Sequence, residues 1–411
     1  MEFRNVRDVV RWRLCVGCGA CVYACPERNI SLVDCEYDGI RPLIREATCK
    51  SCGECLKVCP GYGIAHGYGG ARMPDSSDPE VGWGPVLEVW EGYAVDPDLR
   101  HSGSSGGAVS ALALYCLEEL GMDAVVHTGA DRNTPWKNAT TISHSRSDLL
   151  AATGSRYSPA SPCDGLAHIE VSDKQSVFLG KPCDVEGLRK AESLRPELAK
   201  RVGAVIGIFC AGTPSTLATL ELLKTLQVEP NRVRGIRYRG KGWPGMFAVT
   251  QNGDESPSRK MPYTDAWGFL QKYRPFRCYL CPDGTSEFAD ISCGDAWHRP
   301  RTQDEFGYSL IIARTEKGRE IIRGAIGQSY VSLQRVEPDI LEHAQGNLLA
   351  KRREIWGRLF AMRILGVPVP TFDGFHLLKN WLESPIAEQA RSILGTMRRV
   401  LQRGYRKPLE C

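Results

Sequence analysis

The sequence predicts an α/β fold: a small α+β module at the N terminus, followed by a larger domain on a mixed, largely parallel sheet. Three observations carry that expectation. A cysteine phrase occurs twice in the first 60 residues, short apolar runs alternate with helical stretches from about residue 86, and the loops between them are short and Gly-rich. The 411 residues leave room for one small module and one sizeable domain, and 42% hydrophobic with 24% charged residues is an ordinary globular balance.

The N-terminal repeat comes first. Cys15-Val-Gly-Cys18-Gly-Ala-Cys21-Val-Tyr-Ala-Cys25-Pro26 returns as Cys49-Lys-Ser-Cys52-Gly-Glu-Cys55-Leu-Lys-Val-Cys59-Pro60. Nine of the 17 cysteines fall in the first 59 residues. Met1 to Arg13 is charged and lacks the apolar core of an export signal, and no run of about 18 apolar residues appears. The expected setting is therefore cytoplasmic and reducing, where thiols bind metal or do redox chemistry instead of forming a disulfide framework. A Cys-x-x-Cys-x-x-Cys loop presents three thiolates to one face of a 4Fe–4S cubane, and in two-cluster arrangements the fourth comes from the other repeat, just before its proline. Cys15, Cys18, Cys21 and Cys59 are expected to hold one cluster; Cys49, Cys52, Cys55 and Cys25 the second. Gly17, Gly19 and Gly53 let the backbone turn. A zinc ribbon is the alternative, but two identical four-thiol phrases closed by proline favour iron–sulfur. Cys35, outside both phrases, reads as a packed thiol.

Four regions follow: the cluster module at 1–62, a Gly/Pro-rich linker at 63–85, a catalytic domain at 86–340 and a helical, basic extension at 341–411. In the catalytic domain, Gly106-Gly107 opens the helical stretch AVSALALYCLEEL, and strands are expected at DAVVHTG, SVFLG, VGAVIGIFC and YSLIIAR. Pro214 is expected in the first turn of the helix STLATLELLKTL.

At SGSSGGAVSALALY, GSRYSPASPCDGL, VFLGKPCDVEGLR, IGIFCAGTPS, YRGKGWPG and CYLCPDGTSEFADISCGDAW, the chain resembles the beta subunit family of coenzyme F420 hydrogenases and dehydrogenases. The resemblance runs from residue 1 to about 330. It implies a flavin site of non-Rossmann type, usually FAD, beside a 4Fe–4S cluster, and electron exchange between a deazaflavin coenzyme and a redox partner. Related enzymes reduce chlorophyll-type pigments. Three further readings stay open: a stand-alone reductase of an unsaturated pigment or sugar intermediate, an electron-transfer subunit with no substrate of its own, and a redox sensor that uses its clusters without turnover.

The residues support a third cluster separately. Cys183 and Cys210 each follow the C-terminal end of an expected strand, the edge where open parallel sheets bind cofactors. With Cys278 and Cys281 they make four candidate ligands; Cys163 and Cys293 are reserves. The other reading is two packed thiols and half a zinc site. For the flavin, Ser104, Ser105, Gly106 and Gly107 form a small-residue loop entering a helix N-terminus, suited to pyrophosphate or to an electron-rich flavin edge. Lys181, followed by Pro182, is expected to stabilise negative charge on reduced flavin. Arg156 and Tyr157 are candidates for flavin or substrate contact, and Arg239 and Lys241 for an anionic coenzyme. No GxGxxG follows a strand, so a nicotinamide Rossmann module is not expected.

Charge gathers at the C terminus. Residues 351–411 hold 12 Lys or Arg against five Asp or Glu, in a chain of net charge +4. That is no nucleic-acid footprint. The segment PIAEQARSILGTMRRVLQRGYR reads as a basic amphipathic helix that packs on its own domain, on a partner or on a membrane surface.

Overall fold

The computed structural model describes residues 3–66, 82–300 and 306–410, so most of the expected linker lies outside the described residues. In the N-terminal module, β1 (Ile30–Cys35) and β2 (Gly39–Ile44) form an antiparallel hairpin between the two cysteine phrases. Each phrase turns into a short helix, Ala20–Ala24 and Glu54–Lys57, at a glycine in the left-handed region (Gly19, φ 91°; Gly53, φ 78°) that a side chain would strain. Then β3 (Gly63–Ala65) runs parallel to a strand near the far end of the chain, residues 371–373.

Residues 86–340 contribute β4 (Glu88–Ala94), β5 (Val125–Ala130), β6 (Asn138–Ser143), β7 (Ser176–Gly180), β8 (Val202–Ile208), β9 (Val233–Arg237), β10 (Met246–Gln251), β11 (Arg259–Pro262), β12 (Ile291–Asp295), β13 (Ser309–Ala313) and β14 (Val331–Val336); β15 (Thr371–Asp373) follows. Eight form one sheet in the order β14-β4-β13-β12-β8-β7-β5-β6. Its centre, β12-β8-β7-β5, is parallel, and antiparallel strands flank it on both sides. The apolar run of β8 is what a strand covered on both faces requires. Pro214 precedes the cap of its helix, which starts at Thr216, instead of lying in the first turn.

One face of the sheet is covered by the helices Ala108–Glu118 and Glu316–Gly327, through Leu112, Ile206, Ile311 and Ile322. The other face packs the helix Pro182–Leu194, and Ala20, Ala24 and Val58 of the cluster module join that same layer with Phe178, Val185 and Leu188. The module's opposite side, Val6, Val9, Leu14 and Ile64, packs on Leu359, Met362, Phe375 and Val400 of the C-terminal helices. It is therefore clamped between sheet domain and extension. A small sheet, β11-β10-β9, packs with the helices Thr216–Thr225 and Tyr263–Leu270.

Candidate redox site

Parallel strands point their carboxyl ends to one edge, and the loops there hold the chemistry. β7 ends into Lys181, Pro182 and Cys183, and β8 ends two residues before Cys210. The short helix Phe276–Leu280 brings Cys278 and Cys281 beside them. These four thiols, predicted from sequence to act together, line one cavity with Lys181, Pro182, Arg41, Arg277, Lys351 and Cys15. All four are half-buried, and burial pushes the Cys281 thiol up to about 12 and Cys183 well above its ordinary value. Lys351 opposes the shift at Cys210 and Cys281, and Lys181 at Cys183.

Two more groups of thiols lie in the N-terminal module. Cys25, Cys49, Cys52 and Cys55 line one pocket near the surface. Cys21 is raised by burial and then by the nearby charges of Cys18, Cys15 and Cys59, which outrank Cys55. Cys59 is pushed up to about 12 by burial, with Cys15 and Cys18 adding to it. Among the described residues no three His, Cys, Asp or Glu side chains are placed to hold a single metal ion; the thiols stand around spaces instead. A cationic core suits such sets, because bare thiolates repel one another. Arg277, which is 2% exposed and lines the third cavity, has Nε and Nη1 without a hydrogen-bond partner, donors that an anionic cluster would use.

The reserve thiols go elsewhere. Cys163 is fully buried against Cys18, its Sγ donating to the Asp184 carbonyl at 3.2 Å. Cys293 is buried within β12. Cys35 is exposed at the end of β1, contrary to the expected packed thiol.

The flavin candidates divide. Lys181 Nζ is held by Asp184 at 2.6 and 2.8 Å and donates to the Ala160 carbonyl at 3.2 Å, so its charge is fixed on the cavity wall. Gly106 N–H does not face a ligand: it donates to Ser309 Oγ at 2.9 Å. A Cβ at Gly107 would lie 2.6 Å from the Leu99 carbonyl oxygen, so that glycine serves backbone packing. Ser104 Oγ accepts from the Ser155 amide at 2.6 Å, and Ser105 Oγ donates to the Gly294 carbonyl at 3.2 Å. Arg156 corrects the expectation of a flavin or substrate contact. Its guanidinium donates to Asn138 and to the carbonyls of Pro135, Lys137 and Ile236, tying a hairpin to β9. Lys241 is exposed, its amide donating to the His101 carbonyl.

Arg239 and Tyr157, by contrast, share one site. Arg239 is 1% exposed and pairs with both oxygens of Asp295 at 2.7 and 2.9 Å, at the carboxyl end of β12. It also donates to the Ser104 carbonyl and to Tyr157 Oη at 3.5 Å. Tyr263 and Trp297 stack face to face around it, 5.8 Å apart and 6° from parallel, and Trp243 stacks on Trp297. Asp295 and Trp297 were legible as the end of CGDAW; Arg41 and Lys351, from distant parts of the chain, carried no signal.

One segment joins the three sites. Ser155 and Tyr157 touch Ser104 and Arg239, Pro159 and Ala160 line the thiol cavity, Ser161 donates to the Gly17 carbonyl at 2.6 Å, and the Cys163 amide donates to the Cys18 carbonyl at 3.0 Å.

The same regions match known families. The coenzyme F420 hydrogenase/dehydrogenase beta subunit N-terminal model matches residues 89–167, its C-terminal counterpart residues 173–339, and a 4Fe-4S dicluster domain residues 14–63. Together the first two cover more than half of the chain. The chain belongs to the coenzyme F420 hydrogenase/dehydrogenase beta subunit family. Within this family it is 26% identical to the F420-dependent formate dehydrogenase 1 subunit beta of Methanococcus maripaludis, over 62% of this chain and 63% of that one. It is 26% identical to the coenzyme F420 hydrogenase subunit beta of Methanosarcina barkeri, over 59% and 80%. The coenzyme F420-dependent sulfite reductase of Methanocaldococcus jannaschii is 25% identical over 60% of this chain, which spans only 38% of that enzyme. A chain in the F420-reducing [NiFe] hydrogenase complex from Methanosarcina barkeri shares the fold, with a TM-score of 0.53 at 23% identity over 68% of this chain and 94% of that one. This beta-subunit homologue is thus related to subunits of F420-linked oxidoreductases and carries a 4Fe-4S dicluster domain.

Proposed function

We propose that the protein is an iron–sulfur flavoenzyme that moves electrons between a deazaflavin hydride carrier and one-electron acceptors. Its ligand sets are Cys183, Cys210, Cys278 and Cys281 for a third 4Fe–4S cluster, with the two cross-paired sets of the N-terminal module continuing the line. The observation that carries this reading is Cys15, a member of the first set that also lines the cavity of the third. Ser104, Ser105, Tyr157, Arg239 and Lys241 are the candidates for FAD, and the aromatic faces of Tyr263 and Trp297 suit a planar ring. Bound there, the flavin would supply the exchange of one hydride for two single electrons. Asp295 fixes the Arg239 cation at that site, and Asp184 fixes the Lys181 ammonium on the wall of the thiol cavity. Each cation is thereby held in place by its own carboxylate. The relatives' printed names, which are largely those of subunits, also favour action beside a partner protein.

Anaerobic purification with flavin quantification, followed by optical titration with candidate donors, tests this. Reduced deazaflavin should bleach the cluster absorbance while NADH and NADPH do not. A chain that retains no flavin after reconstitution, or that takes electrons equally from NADH, is not the enzyme proposed.

A further inference from the structure

A helix that packs only on its own protein turns its large apolar residues inward. The helix Ile386–Gln402 does so only in part: Val400 is buried and Ile393 and Met397 are half-buried, but other large apolar residues face out. The residues it buries are Ser392, Thr396 and Val400, against Trp381 and the helix Ile355–Ile364. Its exposed side carries Ile386 (82% exposed), Leu394 (64%) and Leu401 (54%). At about 100° per residue these three, with Ala390 and Met397, fall in an arc of about 80°. Arg391 and Arg398 flank that arc beside Leu394. Arg391 is 67% exposed and makes only outlying pairs, 3.5 Å to Glu388 and 3.9 Å to Glu354.

The apolar surface continues onto the preceding helix, where Leu378 (46% exposed) and Leu382 (60%) are one turn apart. Leu378 borders an open groove of about 490 Å³ lined also by Arg363, His376 and Lys379, with Asp373 as the acid among them. Large exposed apolar residues rimmed by arginine and lysine match a negatively charged sheet of headgroups over acyl chains. Among the described residues no helix is long and apolar enough to cross a membrane, so the contact lies in the interface plane.

We propose that this face of the C-terminal extension docks on an anionic lipid surface, with Leu382, Ile386, Leu394 and Leu401 inserted and Arg363, Lys379, Arg391 and Arg398 at the headgroups. The inference is independent of the redox reading, since none of these residues lines a thiol set or the Arg239 site.

The test is sedimentation of the full, cluster-loaded chain with vesicles of phosphatidylcholine alone or mixed with phosphatidylglycerol. Binding is expected only with the anionic lipid, weakening as salt rises. Ile386→Glu and Leu394→Glu should each lower the partition coefficient at least about tenfold. Arg391→Ser and Arg398→Ser should each lower it about fivefold. Iron content and visible spectrum should be unchanged in all four, which keeps misfolding separate from lost docking. The proposal is overturned if anionic vesicles recover no protein, or if all four variants bind as the parent does. It is equally overturned if the parent self-associates or holds a protein partner through this face, Leu394→Glu abolishing that contact while lipid binding is absent.

Discussion

Arg239 sits inside the protein with its charge balanced by one residue, Asp295. Removing one partner of such a pair leaves a desolvated charge, which costs about 3–5 kcal/mol, whereas replacing both by apolar groups is often neutral. Asp295→Ala should therefore lower stability by about that amount in urea unfolding, and Arg239→Met added to it should recover much of the loss. Equal stability of Asp295→Ala and the parent would mean that the pair is not buried as described. A second buried carboxylate sets an acid limit. Burial raises Glu287, but Arg352, His66 and Arg314 outweigh it and hold the group at about 2. His66 Nε2 lies 3.1 Å from Glu287 Oε2. A carboxyl held below its unfolded value contributes stability above that value and loses it as the folded value is approached. Here the loss runs from about pH 4.5 down to about 2. Glu287→Gln should be less stable at pH 7 and flatter in stability across that acid window, as followed by denaturation at stepped pH.

At the scale of elements, the helix Pro182–Leu194 carries the argument because it serves two sites. Lys181 and Asp184 cap its start at the third thiol set. One and a half turns on, Gly187 meets the first set: a Cβ there would lie 3.1 Å from Cys18 Sγ and 3.4 Å from Cys163 Sγ. Gly187→Val should push into that packing and lower iron content by about four atoms per chain, one cubane's worth, in anaerobic iron assays. Retention of the parent's iron would show the contact to be slack. This helix also shows what was readable beforehand. β7 was placed at its observed bounds from SVFLG, because a short apolar run closed by Gly-Lys-Pro is a local signal. The repeat likewise carried the dicluster domain, since its spacing is a local signal. Arg156 was misjudged because nothing local distinguishes an arginine facing a ligand from one satisfying backbone carbonyls. Gly106 and Gly107 were read as a ligand cradle, when their need for glycine comes from Ser309 and Leu99, distant or earlier in the chain. The stripe of the helix Ile386–Gln402 was visible in its periodicity, but which side the fold covers depended on helices that the periodicity does not specify.

Across the whole molecule, the cluster module is not an appendage. Its core is continuous on one side with the sheet layer and on the other with the C-terminal helices. The Leu409 amide donates to the Arg11 carbonyl at 2.8 Å, which fastens the end of the chain to its beginning. That clamping makes the distances between thiol sets a property of the fold, as electron transfer between fixed centres requires. Segment 154–163 runs from the Arg239 site past the third cavity to the first cysteine loop, so one piece of chain touches all three. The claim beneath all of this is that four thiols from three distant stretches form one cluster site at the sheet edge. Iron and sulfide analysis of the anaerobically purified parent and of Cys278→Ser with Cys281→Ser tests it most directly. About 12 iron atoms per parent chain and about eight in the double variant are expected, since each cubane holds four. Eight in the parent, or no difference between the two, would contradict the account.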